Sequence, residues 1–479
     1  MSGNDIESPQ SPDSDELQRL GYKQSLRRTM GAFSSFALAF SLISINTGIF
    51  ANFQTGIQQV GPAVVWSWLI VLAGQTLVAL VLAELVTQYP VSGYGYQWTS
   101  RLLNPRYGFF VGWLLLLQFL TGFPGVCATL ADYVRILWDP PFSNPVLTVV
   151  VIATVTAIHL LGIKVASWVN DVGVIGEIAG ATILATIFLV FFAPASPHGL
   201  AILADTTNYH TNMPANLSGF ALSLLMGAWC LTGFEASADL AEETRQPRRV
   251  IPRAMLTSLL SSGIGGFLML VGFMLVIDDV RTVQSAPQPL LHIIEKNLGP
   301  KATPFVVGVV LISIFACAVA SMAATSRLIY SLARDNMLPG STFLRTINPA
   351  RRTPSIAIIM IGTVSSLVVL WFEKLSVITS ISATAGYLGY AGIILSGLIT
   401  KREFVHTNDA FRLGVFGPAV RIAALIWTLL LVFALTLPDT GDSRLPLKAT
   451  SAAIAIGCFI YFTVIRGRIL RGEAGPPSG

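Results

Sequence analysis

Apolar and polar positions divide the chain into twelve long apolar stretches joined by short polar ones, at roughly 31–53, 63–88, 107–134, 145–162, 171–192, 216–240, 254–277, 304–332, 354–371, 376–399, 417–436 and 447–465. Each is about 20 residues long and nearly free of charge, the length at which a helix crosses a hydrocarbon core of about 30 Å. Barrel strands would be shorter and would alternate every second residue, which these stretches do not. The pattern predicts an all-α integral membrane protein with twelve transmembrane helices.

The sixth stretch is irregular at its middle. It reads Trp229-Cys230-Leu231-Thr232-Gly233-Phe234-Glu235-Ala236-Ser237-Ala238-Asp239, followed by Ala241-Glu242-Glu243-Thr244 and the basic exit Arg248-Arg249-Val250-Ile251-Pro252-Arg253. A Thr-Gly pair followed by a carboxylate is costly in hydrocarbon unless the freed backbone groups face a cavity or a ligand. This points to a helix unwound at its centre and hence to a binding site. The alternative is a continuous helix kinked at Gly233, with Glu235 snorkelling inward. The first stretch has its own irregularity, Ser44-Ile45-Asn46-Thr47-Gly48-Ile49-Phe50, where Asn, Thr and Gly in succession weaken a helix. Stretches one and six lie five apart, the spacing at which two inverted five-helix repeats place matching breaks. The Thr47-Gly48 and Thr232-Gly233 pairs agree with that, although Thr-Gly also recurs at Thr121-Gly122.

Composition acts mainly by exclusion. With 53% hydrophobic and 11% charged residues, and a mean hydropathy of +0.67, a 479-residue chain is too apolar for a soluble fold of that size. Cys127, Cys230, Cys317 and Cys458 all fall inside apolar stretches without metal-ligand spacing, so neither disulfides nor a metal site is expected. The five histidines, His159, His198, His210, His292 and His406, are equally scattered. Gly93-Tyr94-Gly95 is no nucleotide loop, because no strand precedes it and no Lys-Thr or Lys-Ser follows. No cofactor is expected. The pI near 9.1 has a topological origin. With both ends placed in the cytoplasm, 23 of the 30 Lys and Arg lie on the inner side, and only Arg135, Arg281, Lys296, Lys301, Lys374, Arg444 and Lys448 on the outer. A basic surface of that kind carries no nucleic-acid meaning. Residues 1–28, rich in Ser, Pro, Asp and Glu, read as a polar cytoplasmic tail, disordered to about Leu17, rather than as a cleavable signal.

Four stretches carry a family resemblance. They are Leu20-Gly21-Tyr22-Lys23-Gln24 with Leu26-Arg27-Arg28; Ala83-Glu84-Leu85 through Tyr89-Pro90-Val91-Ser92-Gly93-Tyr94-Gly95-Tyr96-Gln97-Trp98; Gly233 through Thr244 with Pro247 and Ile251-Pro252-Arg253; and Ser326-Arg327 through Ala333-Arg334-Asp335-Asn336-Met337-Leu338-Pro339 with Thr353-Pro354. In this order and spacing the chain resembles the amino acid/polyamine/organocation transporter superfamily over residues 20–465, most closely its branch of amino acid, choline and 4-aminobutyrate permeases. The resemblance implies a leucine-transporter-type fold, a 5+5 inverted repeat with helices 1 and 6 broken around a midplane substrate site, and two further C-terminal helices. It divides the chain into the tail 1–28, a transport core 29–400 of helices 1–10, helices 11 and 12 over 401–466, and a second cytoplasmic tail 467–479.

In that fold, as the resemblance implies, amides at the first break hold a substrate carboxylate and carbonyls at the sixth hold its amine. A half-helix N-terminus does carry partial positive charge and unsatisfied N–H groups. Asn46, Thr47 and Gly48 stand where many relatives have a Gly-rich triplet, and Ser44 joins them in the expected lining. Asn46 is a departure that leaves carboxylate-free amines such as choline open; the plain alternative for the triplet is a simple kink. Trp229 aligns with an aromatic gate position. Stacking of its ring on an ammonium group would be worth about 1–2 kcal/mol when desolvated. Phe234 is a second aromatic candidate, set against packing on lipid or core, and Cys230, Thr232 and Gly233 complete the expected lining from the sixth helix. Glu235 follows the break where relatives commonly keep an acid. Unpaired at such depth, a carboxylate costs about 3 kcal/mol or takes up a proton, so Glu235 is expected to bind a cationic group or to respond to protonation. For Asp239, Glu242 and Glu243, pairing with cytoplasmic Arg residues is expected instead. Glu177, in Val174-Ile175-Gly176-Glu177-Ile178-Ala179-Gly180, stands in a region where proton-coupled relatives often carry a lysine. It is a candidate proton-coupling group, or else it bonds a neighbouring helix. Gln75, Gln118 and Asp132 read as interhelical contacts or interface anchors.

The expected function is secondary active transport of an amino acid or related amine across the plasma or cytoplasmic membrane, by alternating access, inward and proton-coupled. Its partners would be a small-molecule substrate, the coupling proton and membrane lipid, with no nucleic acid. A choline, 4-aminobutyrate or polyamine carrier is the rival within the class, and a transport-inactive nutrient receptor the rival outside it. Enzyme function is not expected, because no carboxylate pair with His, no nucleophile with its base and no metal cluster stands at membrane depth.

Overall fold

The computed structural model describes residues 17–24, 28, 30–138, 140–208, 213–214, 217–348, 351, 353–372, 374–400, 411–436 and 444–477. The tail expected over 1–16, together with Arg27, His210, Arg352, Lys401, Arg402 and His406, lies outside the described residues.

Helix fills most of every expected apolar stretch. The long helices are α1 (Ala32–Ile43), α2 (Ile45–Val60), α3 (Val64–Gln88), α5 (Pro105–Leu137), α6 (Asn144–Leu161), α7 (Ile163–Thr186), α8 (Leu217–Cys230), α10 (Pro247–Leu275), α13 (Thr303–Arg334), α15 (Ser355–Trp371), α16 (Leu375–Ile399), α17 (Gly417–Thr436) and α18 (Arg444–Ile460). Between them lie the short α4 (Tyr94–Leu102), α9 (Ala236–Asp239), α11 (Val280–Ser285), α12 (Pro289–Leu298), α14 (Ser341–Leu344) and α19 (Arg466–Leu470). One small antiparallel pairing, Thr207–Asn208 with Met213–Pro214, sits in the loop before α8. Among the described residues, nine helical runs are long and apolar enough to cross a membrane, and Leu217–Cys230 and Ser355–Trp371 are shorter apolar helices. One of the nine, Ala32–Gln88, is 57 residues long, about 85 Å of helix if it ran straight, and it is divided at Ser44 and at Gly61.

The short helices α4, α11 and α12 lie outside the apolar stretches, and local chemistry explains why they form. The Asp279 carboxylate caps α11 by accepting from the amides of Arg281 and Thr282 at 3.1 and 3.3 Å. α12 opens with Pro289, whose missing N–H is no loss at a first helical position.

Packing separates core helices from lipid-facing ones. α16 lies on α5, α10 on α3, α13 on both α5 and α7, and α2 on α8. Trp371, Phe433 and Phe459, on α15, α17 and α18, point outward and exposed. Side chains of that size left uncovered mark a surface that meets hydrocarbon rather than water. Glu84 of α3 is tied to the outer layer, since it accepts from Arg421 Nη2 of α17 at 2.5 Å and from the Leu413 amide at 3.2 Å.

Candidate functional site

Both irregular stretches are unwound, and the two breaks face each other. Between α1 and α2, Ser44 adopts φ 36°, ψ 93°. Its Oγ accepts from the Thr47 amide at 3.3 Å and lies 2.6 Å from Thr47 Oγ1, so Ser44 caps α2. The break therefore falls just before Asn46-Thr47-Gly48 rather than within them. Residues that weaken a helix interior are tolerated in a first turn, where several amides have no intrahelical partner anyway.

The sixth stretch stops at Cys230 and resumes at Ala236. Gly233 turns the chain at φ 92°, and a Cβ there would also lie 2.5 Å from Leu42 Cδ2. The carbonyls near this break have side-chain donors. Gln75 Nε2 donates to the Leu231 carbonyl at 2.8 Å, Thr232 Oγ1 to that of Trp229 at 2.8 Å, and Tyr387 Oη to that of Ala228 at 3.2 Å. Cys230 Sγ reaches the carbonyls of Ile43 and Ser44 at 3.4 and 3.6 Å, which joins one break to the other. A Cβ on Gly48 would sit 2.1 Å from that of Cys230, so α2 and α8 approach this closely only because residue 48 is glycine.

A small cavity of about 40 Å³ lies between the breaks, well below the roughly 300–1,000 Å³ usual for small-molecule sites, so the two breaks lie nearly closed on one another. Of the candidate residues, Thr47, Gly48, Trp229, Cys230, Thr232 and Gly233 border it. Helices that the sequence did not single out supply the rest of the wall: Gln118, Phe119, Gly122 and Phe123 from α5, Cys317 and Ser321 from α13, and Ser382 from α16. Gly122 belongs to the third Thr-Gly pair, which on sequence alone looked like coincidence. No group of three His, Cys, Asp or Glu among the described residues could hold a metal ion.

Ser44, Asn46, Phe234 and Glu235 do not border the cavity. Asn46 turns to α13, where its Nδ2 donates to Ser313 Oγ at 3.3 Å. Phe234 is fully buried and stacks on Tyr390, with centroids 6.1 Å apart and planes at 28°. Glu235 is also fully buried. Its Oε1 accepts from Tyr390 Oη at 2.7 Å and from Gln118 Nε2 at 3.4 Å, and its Oε2 from the Gly233 amide at 3.1 Å. Glu235 thus stands one side chain behind the wall, with Gln118 between it and the cavity.

Glu177 lies on the other side of the first break. It is fully buried, and among the described residues neither carboxyl oxygen meets a donor in bonding geometry. The groups nearest it are the Ile45 and Asn46 amides and the Ser44 and Ser313 hydroxyls, which form the N-terminal end of α2 and the adjoining face of α13. Close packing of α7 brings it there, since a Cβ on Gly173 would fall 2.0 Å from that of Ala316 on α13.

Ion pairs and hydrogen bonds tie the helix ends together at the basic end of the bundle. Arg334 Nη1 pairs with Glu242 Oε1 at 3.0 Å, and Arg327 Nε with Glu243 Oε1 at 3.3 Å, as expected for those two acids. Asp239 accepts instead from the Gly93 amide at 3.2 Å. Asp335 gathers three donors, Tyr22 Oη at 2.8 Å, Tyr96 Oη at 2.8 Å and Gln97 Nε2 at 2.7 Å. The Arg334 guanidinium lies 3.8 Å from the centroid of the Tyr22 ring.

Comparison with known proteins agrees with this architecture. Residues 30–465 match the family described as amino acid permease. The chain is 26% identical over 467 residues to the amino-acid permease BAT1 of Arabidopsis thaliana, an alignment that covers 88% of each protein. It is 25% identical to an uncharacterized amino-acid permease of Schizosaccharomyces pombe, covering 90% of this chain and 81% of the relative. It is also 25% identical to a putative polyamine transporter of Candida albicans, covering 95% and 86%.

Proposed function

We propose that this chain, which belongs to the amino acid permease family, is a secondary active transporter that moves an amino acid or related amine inward by alternating access, coupled to protons. The observation that carries this reading is the cavity between two helices unwound at facing positions, walled by Thr47 and Gly48 on one side and Trp229 to Gly233 on the other. Irregular backbone at membrane depth persists where it lines a cavity or is buried in protein, and the peptide groups it frees are the means of gripping a small polar solute. On this reading twelve helices cross a plasma or cytoplasmic membrane, with helices 1–10 over 29–400 as the transport core, helices 11 and 12 over 401–466, and both tails in the cytoplasm.

Each group then has a role. Thr47, Gly48, Thr232 and Gly233 contact the substrate, and the Trp229 ring covers it. Glu235, held by Tyr390 and the Gly233 amide, fixes Gln118 against the cavity. Glu177 is the proton acceptor. Ionised, it is attracted to the amide end of α2; protonated, it loses most of that attraction. Because that end begins at Ser44, the joint between α1 and α2, proton occupancy biases how the two half-helices meet.

Glu177 also favours a second reading. It places a carboxyl group of the protein at the amide end where a substrate carboxylate would otherwise bind, which suits a carboxylate-free amine such as a polyamine or choline. Uptake into liposomes tests both. Labelled amino acids, 4-aminobutyrate, choline and putrescine are offered with and without an inward proton or sodium gradient. Accumulation of an amino acid under the proton gradient supports the first reading, accumulation of choline or putrescine alone supports the second, and no accumulation of any of them overturns transport.

A further inference from the structure

A second cavity lies outside the bundle core, at its basic end, in the groove between α1 and α10. It has a volume of about 450 Å³ and is lined by Phe33, Phe36, Arg249, Val250, Arg253 and Ala254, among others. Arg249 and Arg253 are four residues apart in α10, so they project from one face. Both are exposed, and neither guanidinium meets a carboxylate or a carbonyl among the described residues. Glu242 and Glu243, the nearest acids in sequence, are already paired with Arg334 and Arg327. Below the two cations the floor turns apolar. Ala254 is buried, and Phe33, 62% exposed, stands in the first turn of α1 with Phe36 at 6.4 Å, centroid to centroid.

Two cations without an acidic partner among the described residues, set above an apolar trough at the level where both helices begin, match the two halves of one molecule. We propose that this groove binds an anionic phospholipid of the cytoplasmic leaflet, its phosphate held by Arg249 and Arg253 and an acyl chain lying along Phe33 and Phe36. Guanidinium is the suited cation, because its planar fork presents paired donors to phosphate oxygens and it is weakly hydrated. Basic pockets between membrane helices on the cytoplasmic side are where such headgroups are recognised. The site bears on transport because α1 forms one of its walls. The opposite end of α1 carries Leu42 and Ile43, which border the central cavity, so a lipid wedged against Phe33 steadies the half-helix that closes the substrate site from below. This placement rests on the membrane orientation proposed above.

The test counts lipid first and transport second. Purified protein is offered phosphatidylglycerol and phosphatidylcholine in equal amounts, and retained lipid is measured by native mass spectrometry. Native protein is expected to retain phosphatidylglycerol selectively. With about one arginine's worth of surface attraction lost at each position, the double variant Arg249→Gln/Arg253→Gln should lose that retention by on the order of tenfold. The double variant with lysine at both positions should keep most of it. Equal retention of the two lipids, unchanged retention by the glutamine variant, or displacement of the lipid by millimolar inorganic phosphate would overturn the site. In liposomes, adding phosphatidylglycerol should change the native uptake rate and leave that of the glutamine variant unchanged; a native rate indifferent to lipid charge would overturn the link to α1. Selective lipid retention without uptake of any solute would leave the lipid site standing and count against transport instead.

Discussion

Individual residues set the sharpest tests of the candidate site. Replacing Glu177 by Gln keeps the shape of the buried pocket beside Ser44 and removes its capacity to gain and lose a proton. The variant is expected to lose accumulation driven by a proton gradient while still exchanging substrate across the membrane, and uptake measured against counterflow separates the two. Proton-driven accumulation that survives Glu177→Gln would assign coupling elsewhere. Gly48→Ala should be more damaging than its size suggests, because the added carbon falls 2.1 Å from Cys230 Cβ. Forced contacts of that kind in a packed interior cost about 1–3 kcal/mol or more, so the expected outcome is a clear loss of folded protein after extraction. Part of this was legible in the chain. Thr47, Gly48, Trp229 and Gly233 stand out in the chain as Thr-Gly pairs and a Trp inside apolar stretches, although a simple kink would leave the same Thr-Gly pattern. Gln118, Ser321 and Ser382 do not, because a lone polar residue in an apolar helix looks the same whether it faces a neighbour or a cavity. Only the packing of α5, α13 and α16 around the breaks distinguishes them.

At the scale of elements, the chief result is that the two breaks are stabilised in different ways. The first is capped from within, by Ser44 on Thr47; the second adds to its own bonds, from Thr232 to the Trp229 carbonyl and from the Gly233 amide to Glu235, donors from its neighbours, Gln75 of α3 and Tyr387 of α16. Gln75→Leu would strand the Leu231 carbonyl in a dry interior, at a cost of about 1–3 kcal/mol, and is expected to lower the melting temperature even though Gln75 does not border the cavity. Gly233→Ala would combine a left-handed backbone penalty of about 1–2 kcal/mol with contact against Leu42, and substrate affinity should fall along with stability. That a break existed in the first stretch was readable from Asn46, Thr47 and Gly48, but its position was not. Weak helix formers indicate where a helix is vulnerable, whereas the cap decides where it begins. The loop helices α4, α11 and α12 escaped notice for a related reason, as an amphipathic helix of 6–10 residues leaves no apolar run long enough to register.

For the whole molecule, polar contacts gather at one end. The basic end is held by Arg334–Glu242, Arg327–Glu243 and the donors converging on Asp335, and the transport proposed above requires these pairs to part. Breaking one by Arg334→Gln leaves the buried Glu242 carboxylate without its cation, a loss of about 3–5 kcal/mol to the closed arrangement. The variant is expected to spend more time open at that end. Cys230 and Cys317 provide the readout, because both border the cavity and both are buried. A membrane-impermeant thiol reagent applied from the basic side should label them faster in the variant than in the native protein, and bound substrate should slow labelling in both. None of this closure could be read from composition, although the acids involved could be. Glu242 and Glu243 are expected to find arginines, whereas the meeting of residues 22, 96, 97 and 335 joins three segments far apart in sequence, which no local pattern records.

The two ends of the described chain meet at this same junction. The Gly475 amide donates to the Asp335 carbonyl at 2.9 Å, Asn336 Nδ2 donates to the Glu473 carbonyl at 2.8 Å, and Pro477 rests against Gly21, beside the Tyr22 that holds the Asp335 side chain. Removing residues 466–477 would delete these contacts together, so a chain trimmed back to residue 465 should unfold at a lower temperature in detergent than one that keeps them.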